Sequence, residues 1–299
     1  MAVFRFVIVL ALFAVAASDA RQQTFRASAD VVVLPVTVVG KGNNLVRGLT
    51  RDDFEVIEDG KRQELTFFNE GAGGAALPLH VGLLLDTSSS MDRDLAAAVS
   101  AAIRFVNAVD ESVDVTLVDF ATEVRVSRFS PPSYAHLFER MRSNKAEGST
   151  ALYDALGLYL IAAEQQDGQK VLLLYTDGED STSSLGYGRM IEMLRLSDVV
   201  VYAIGYLDSL RGSRGTAQLR LNDLAHQTGG EAFFPLDRKQ LDEIYAKIEE
   251  EITSRYSLGF ISTNRAADGK WRKVDIRVTA PSGKGAKVRT RPGYFVPAR

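Results

Sequence analysis

The period of the hydrophobic pattern changes twice along the chain. Over residues 30–39 valines recur (Val31, Val32, Val33, Val36, Val38, Val39), and residues 40–44 are turn-like. Residues 53–58 and 64–68 alternate apolar with polar on either side of Glu58-Asp59-Gly60-Lys61. A period of two around an Asp-Gly turn predicts short antiparallel strands. Residues 71–76 form a joint by composition. Beyond Pro78 the pattern predicts strands at 81–85, 113–120, 171–175, 199–204 and 231–234, with an edge strand at 124–129. Helices alternate with them. One at 92–109 carries Leu95, Val99, Ala102, Ile103 and Val106 on one stripe, and a short one from Ser133 carries Leu137, Phe138 and Met141. Others are expected at 150–163 with Thr150 as N-cap, 190–196, 219–226, and 241–254 with Ile244, Ile248 and Ile252 on one face. From 256 the pattern is β again: 256–262, 272–280, 287–291 and 293–296.

This order predicts an α/β fold: a doubly wound, mostly parallel sheet over residues 77–255. Neither β flank makes a stable sheet pair by itself, but together they supply about seven strands, enough for one sandwich. The α/β part is therefore expected to be inserted into a small β-sandwich formed by residues 21–76 and 256–299.

The uncharged run Val81-Gly82-Leu83-Leu84-Leu85 feeds straight into Asp86-Thr87-Ser88-Ser89-Ser90. Such a run reads as a strand buried on both faces, and its carboxyl end is where open α/β sheets keep ligand sites. A carboxylate and two hydroxyls at alternate positions offer hard oxygens and one formal charge, which suits Mg²⁺ rather than a soft metal. Gly148-Ser149-Thr150 and Thr176-Asp177-Gly178 place Thr150 and Asp177 on the same sheet edge. Alone, the serines read as a polar turn and Asp177-Gly178 as a turn dipeptide. Five oxygen-bearing side chains on three converging loops outweigh that plainer reading.

The set resembles the von Willebrand factor type A domain and its metal-ion-dependent adhesion site. That pattern is Asp-x-Ser-x-Ser, a distant Thr, and an Asp in a Thr-Asp-Gly loop, and Asp86, Ser88, Ser90, Thr150 and Asp177 match all five positions. The resemblance covers residues 78–255. The flanks resemble the bacterial VWFA-related family through Gly48-Leu49-Thr50-Arg51-Asp52-Asp53-Phe54, Glu58-Asp59-Gly60-Lys61 and Arg291-Pro292-Gly293-Tyr294. The resemblance implies a divalent cation, usually Mg²⁺, with Mn²⁺ and Ca²⁺ as the other candidates. Ser88, Ser90 and Thr150 would hold it directly, and Asp86 and Asp177 largely through water. It also implies a protein partner whose Asp or Glu carboxylate completes the shell, hence an adhesion or scaffold module and not an enzyme.

Composition narrows the picture further. The 299 residues are 46% hydrophobic, enough for a sizeable core. A net charge of −3 and a pI near 5.8 argue against a nucleic-acid binder. There is no cysteine, so disulfides and thiolate chemistry are excluded. Arg5 is the only charge before Asp19, residues 6–17 are apolar, and Ser18 and Ala20 stand as the −3 and −1 residues of a cleavage site. Residues 1–20 thus read as a secretory signal, which places the mature chain in the periplasm or outside. An uncleaved membrane anchor is the alternative, although the apolar run is short for a span.

Two other functions compete: a metal-assisted hydrolase, and a structural envelope protein with a vestigial site. The chain has no Gly-x-Ser-x-Gly elbow, His-Glu-x-x-His or phosphate loop. His80, His136 and His226 have no zinc spacing. Asp119 is expected to reach a backbone amide, and Glu179 and Asp180 to lie in a solvated loop. Arg189, Arg195, Arg211, Arg214 and Arg220 are expected around an irregular, solvated loop at 205–216.

Overall fold

The computed structural model describes residues 31–71, 77–109, 112–207, 210, 212–283 and 285–296. The expected signal segment at 1–20, residues 72–76 of the expected joint and Arg211 lie outside the described residues.

Four strands come first: β1 (Val31–Val39), β2 (Phe54–Glu58), β3 (Lys61–Gln63) and β4 (Leu65–Glu70). The alternating part follows as β5 (Leu79–Asp86), α1 (Leu95–Ala108), β6 (Ser112–Phe120), β7 (Val124–Phe129), α2 (Tyr134–Ser143) and α3 (Leu152–Ala163). It continues as β8 (Gln169–Thr176), α4 (Tyr187–Leu196), β9 (Val200–Gly205), α5 (Arg214–Gln227), β10 (Glu231–Phe233) and α6 (Arg238–Ser254). The chain then gives β11 (Tyr256–Ile261), β12 (Trp271–Val278), β13 (Lys287–Arg289) and β14 (Gly293–Phe295).

The central sheet has the order β10-β9-β8-β5-β6-β7. All its pairings are parallel except β6 with β7, which is antiparallel. β5 and β8 lie in the middle, and their apolar runs are buried on both faces, as parallel strands require. α1, α2 and α6 cover one face and α3, α4 and α5 the other, each contributing to one hydrophobic cluster. Gly82 sits where Tyr159 of α3 crosses β5: a Cβ there would come within 2.3 Å of the Tyr159 ring.

The flanking strands form two four-stranded sheets, β13-β1-β11-β4 and β14-β12-β2-β3. Both draw on both ends of the chain and enclose one core around Leu34, Val36, Phe54, Tyr256, Leu258 and Phe260. The α/β part enters after β4 and leaves before β11, and these two strands pair with each other. Gly71 N–H donates to the Arg255 carbonyl at 2.8 Å, so entry and exit are adjacent.

The contact between the two parts is polar and buried. Arg289 of β13 pairs with Glu231 of β10 and Glu251 of α6. Tyr202 donates to Glu251 at 2.8 Å, and Arg255 donates to the Tyr202 hydroxyl at 2.6 Å. Arg291 donates to the carbonyl of Val33 at 3.0 Å and of Ser197 at 3.4 Å.

The helix that departs most from the pattern-based expectation is α5. α5 starts at Arg214, inside the stretch read as irregular loop. Gly215 and Thr216 are weak helix formers and hide its first turn. Ala217, Leu221 and Leu224 are buried at helical spacing, so packing overrides propensity. Among the described residues no helix is long and apolar enough to cross a membrane.

Candidate metal centre

Asp86 is the last residue of β5 and is fully buried. Its Oδ1 accepts from the Ser88 N–H at 2.9 Å, which folds the loop back on the strand end. Its Oδ2 accepts from the Thr176 hydroxyl at 2.6 Å, which ties β5 to the end of β8. The loop then forms a short 3-10 turn over Ser89–Met91, anchored by fully buried Met91. This leaves the hydroxyls of Ser88 and Ser90 side by side, 3.1 Å apart. Ser88 is buried and Ser90 is exposed, so the cluster opens to solvent at Ser90.

Asp177 follows β8 and is also fully buried. Its Oδ1 accepts from the Glu179 N–H at 3.0 Å, whereas its Oδ2 has no hydrogen-bond partner. The Ser90 hydroxyl lies close enough to hold the Asp177 carboxyl down, against burial that pushes it up more strongly. Asp86, Ser88, Ser90 and Asp177 thus form a chain of neighbouring side chains.

Thr150 joins the set through its backbone. Its N–H donates to Ser181 Oγ at 3.0 Å, and its carbonyl accepts from the N–H groups of Ser181 and Thr182 at 2.9 and 3.0 Å. Ser89 N–H donates to the Gly148 carbonyl at 3.1 Å, and Glu147 N–H to the Thr87 carbonyl at 2.9 Å. Gly148 has φ +80°, and a Cβ there would meet Thr122 Oγ1 at 2.6 Å. The loops after β5 and β8 are therefore stitched to the segment that carries Thr150.

Thr150 is not the N-cap of α3. The cap position is Ala151, and Ser183 Oγ accepts from the N–H groups of Tyr153 and Asp154, both at 3.1 Å. Asp180 takes part in the same cap, accepting from Ser183 Oγ at 2.5 Å and Tyr153 N–H at 3.3 Å, rather than lying in a free solvated loop. A cap supplied from the loop after β8 spares the Thr150 hydroxyl that task. Glu179 is exposed, as expected.

Among the described residues Asp119 meets two arginines rather than a backbone amide. It is fully buried, and its two oxygens accept from Arg125 Nε at 2.7 Å and Arg140 Nε at 3.0 Å. Its charge is compensated and stands apart from the cluster. His80 lies toward the opposite end of β5, with Nδ1 3.1 Å from Asp114 and Nε2 3.1 Å from the Asp167 carbonyl. Of the arginines, Arg189 pairs with Glu192, Arg195 donates to Gln227 at 2.9 Å, and Arg220 stacks over the Tyr187 ring at 5.9 Å.

The residue that sequence reasoning quoted but gave no role is Thr176. A hydroxyl closing a buried strand beside β5 was the available signal. Ser181 and Ser183 were missed as well, although Asp180-Ser181-Thr182-Ser183-Ser184 is dense in side chains that bond backbone groups.

Asp86 is pushed up to about 6, by burial foremost and by the charge of Asp177, against the hydrogen bonds from Ser88 and Thr176 that hold it down. Two buried carboxyls so close, one with an unpartnered oxygen, are poorly compensated by protein alone. The donor set suits a hard divalent cation: two carboxylates and three hydroxyls, all oxygen. Among the described residues no group of three or more His, Asp or Glu could hold a metal, so any cation here depends on the hydroxyls.

A doubly wound sheet with hydroxyl and carboxylate loops at its carboxyl edge defines the class. The sequence profile of the von Willebrand factor type A domain matches residues 80–247, and the chain belongs to that family. No curated protein matches the chain. The PilB minor pilin of Streptococcus sanguinis is similar over 60% of this chain and 62% of its own, at 14% identity and a TM-score of 0.47. The chain thus spans less than two thirds of that pilin. The von Willebrand factor type A protein of Catenulispora acidiphila covers 89% of this chain and 72% of its own, at 14% identity and a TM-score of 0.49. The pilus adhesin SpaC of Lactobacillus rhamnosus GG, in its open conformation, covers 87% of this chain and 49% of its own, at 10% identity and a TM-score of 0.50. At that identity the likeness speaks to fold alone.

Proposed function

We propose that this chain is an exported module that binds a protein partner through a divalent cation, Mg²⁺ foremost, held by Asp86, Ser88, Ser90, Thr150 and Asp177. The observation that carries the reading is the buried, unpartnered Oδ2 of Asp177 beside the paired hydroxyls of Ser88 and Ser90. When bound, the cation supplies positive charge that neutral hydroxyls leave largely unquenched, and so attracts an Asp or Glu carboxylate of the partner. The protein's own contribution is preorganisation. Thr176 orients Asp86, Asp86 holds the Ser88 amide, and the turn to Met91 sets the two serine hydroxyls before any ligand arrives.

Binding rather than turnover suits the surroundings. Asp119 is occupied by two guanidiniums, and His80 lies toward the far end of β5, so neither serves as a base at the cluster. The signal-like pattern of residues 1–20 supports export to the periplasm or beyond. Pilus proteins share the fold, and an adhesion or scaffold role for this chain follows from its own cluster. Capture of envelope proteins with Mg²⁺ and with EDTA tests the proposal. Wild type retains its partner only with Mg²⁺, and Thr150→Ala and Asp177→Ala retain none. Equal capture by mutant and wild type would overturn it.

A further inference from the structure

A hollow of about 440 Å³ lies where the α/β part meets the sandwich. Leu196 and Asp198 form one wall, just before β9 begins at Val200. The hollow therefore stands at the amino edge of the central sheet, opposite the metal loops. β1 supplies a second wall through Val31, Val32 and Val33, and β14 a third through Tyr294 and Phe295. Sites for small molecules typically measure about 300–1,000 Å³ and favour junctions between domains. Val33 and Leu196 are exposed here, so apolar surface is left for an occupant to cover.

The run Arg291-Pro292-Gly293-Tyr294, which the metal centre leaves unused, shapes this place. Gly293 lets β14 close on β12: a Cβ there would come within 2.6 Å of the Trp271 ring. Tyr294 donates to buried Glu58. Arg291 lines the hollow and donates to the carbonyls of Val33 through Nη2 and of Ser197 through Nη1, while its buried Nε has no partner. Each Nη keeps a second proton. Two carbonyls could be bonded by a neutral amide, so the positive charge of Arg291 is unspent. Burial pushes its pKa down, against the charge of Asp198. Asp198 is itself held by Lys170 at 2.6 Å. The lining carries Arg265 and Arg291 against Asp198. Around it Lys170, Arg195 and Arg272 balance Glu58, Asp59 and Asp268, so one positive charge is in excess. A buried cation so poorly matched is costly until an anion meets it.

We infer that this hollow binds a small amphiphile ending in a carboxylate, of which a medium-chain fatty acid is the simplest form. Its carboxylate meets the guanidinium of Arg291, and its apolar chain covers Val31, Val33, Leu196 and Phe295. One excess charge fits a monoanion, and the apolar walls give the chain its place. The site is independent of the cation and of the metal-dependent reading above.

The probe is octanoate, titrated calorimetrically into the full chain in EDTA so that no carboxylate gathers at the metal centre. Wild type binds octanoate at one site and binds octanol, which has the same chain and no charge, roughly tenfold more weakly. Arg291→Gln brings octanoate down to the level of octanol. Ala267 lines the hollow from an exposed loop, so Ala267→Trp fills it without touching the hydrogen bonds of Arg291. That variant loses both ligands and guards against misfolding of the Arg291 variant. Absence of saturable octanoate binding to wild type, equal affinity for octanol, or unchanged octanoate affinity in Ala267→Trp overturns the inference.

Discussion

Asp177 has one carboxylate oxygen satisfied by a backbone amide and one buried without a partner. Such an atom costs about 1–3 kcal/mol unless something binds it. A cation that binds the folded chain alone stabilises it by mass action, about 2.7 kcal/mol at a concentration a hundred times Kd. Thermal unfolding of wild type is therefore expected to rise with Mg²⁺ and fall back with EDTA, and Asp177→Ala to show neither response. Tyr256 sets a second single-residue effect, in the sandwich. Its hydroxyl accepts from Leu49 N–H at 3.1 Å and lies 2.9 Å from the Val46 carbonyl and 3.2 Å from Glu70. Burial foremost, with Glu70 adding, pushes it up to about 12. The fold favours the neutral phenol, so its contribution is whole below about pH 10, the unfolded value, and is lost as pH rises to about 12. Urea unfolding between pH 9 and 12 should show a shallower loss in Tyr256→Phe than in wild type. At this scale the grouping of Asp86, Ser88, Ser90 and Asp177 could be read from the sequence, because each stands in a short motif at the end of a strand. Thr176 as a support and Arg125 and Arg140 as partners of Asp119 could not, because their roles depend on which strands and helices become neighbours.

Helix α3 separates two jobs that sequence reasoning had merged in one threonine. The helix start is satisfied by Ser183 from the loop after β8, while Thr150 stands two residues before the helix. Ser183→Ala is expected to lower stability by about 1 kcal/mol through the lost cap. Thr150→Ala is expected to leave stability in EDTA nearly unchanged yet abolish the Mg²⁺ response. Denaturant unfolding of the two variants with and without Mg²⁺ distinguishes the roles; a matching loss of stability in both would assign Thr150 to the helix after all. The strands were easier to read. The uncharged run of β5 admits only a strand covered on both faces, and β12 alternates as its one-sided burial demands. α5 was harder, since its first turn contains Gly215 and Thr216 and is held by the packing of Ala217.

Buried charged residues join the two parts of the molecule. Glu251 is fully buried, and Arg289 reaches it from the sandwich. Removing one member of a buried pair strands the other, at about 3–5 kcal/mol. Arg289→Ala is therefore expected to split one unfolding transition into two, seen by calorimetry; a single transition at unchanged temperature would count against this. The sandwich could be inferred from the sequence as a sum of two insufficient flanks. Its seam could not, because Glu231, Glu251 and Arg289 belong to three separate elements and nothing local marks them as partners.

The hydrogen bond from Gly71 to Arg255 also bears on the order of events during folding. β4 and β11 pair with each other but are separated by the whole α/β part. Joining them while that part is still a random chain costs loop entropy of roughly 4–5 kcal/mol. Once the insert has folded, its two ends already stand together, and the same pairing becomes as local as a hairpin. The sandwich is then the last piece to assemble, and Trp271, the only tryptophan of the chain, lies in it and reports its arrival.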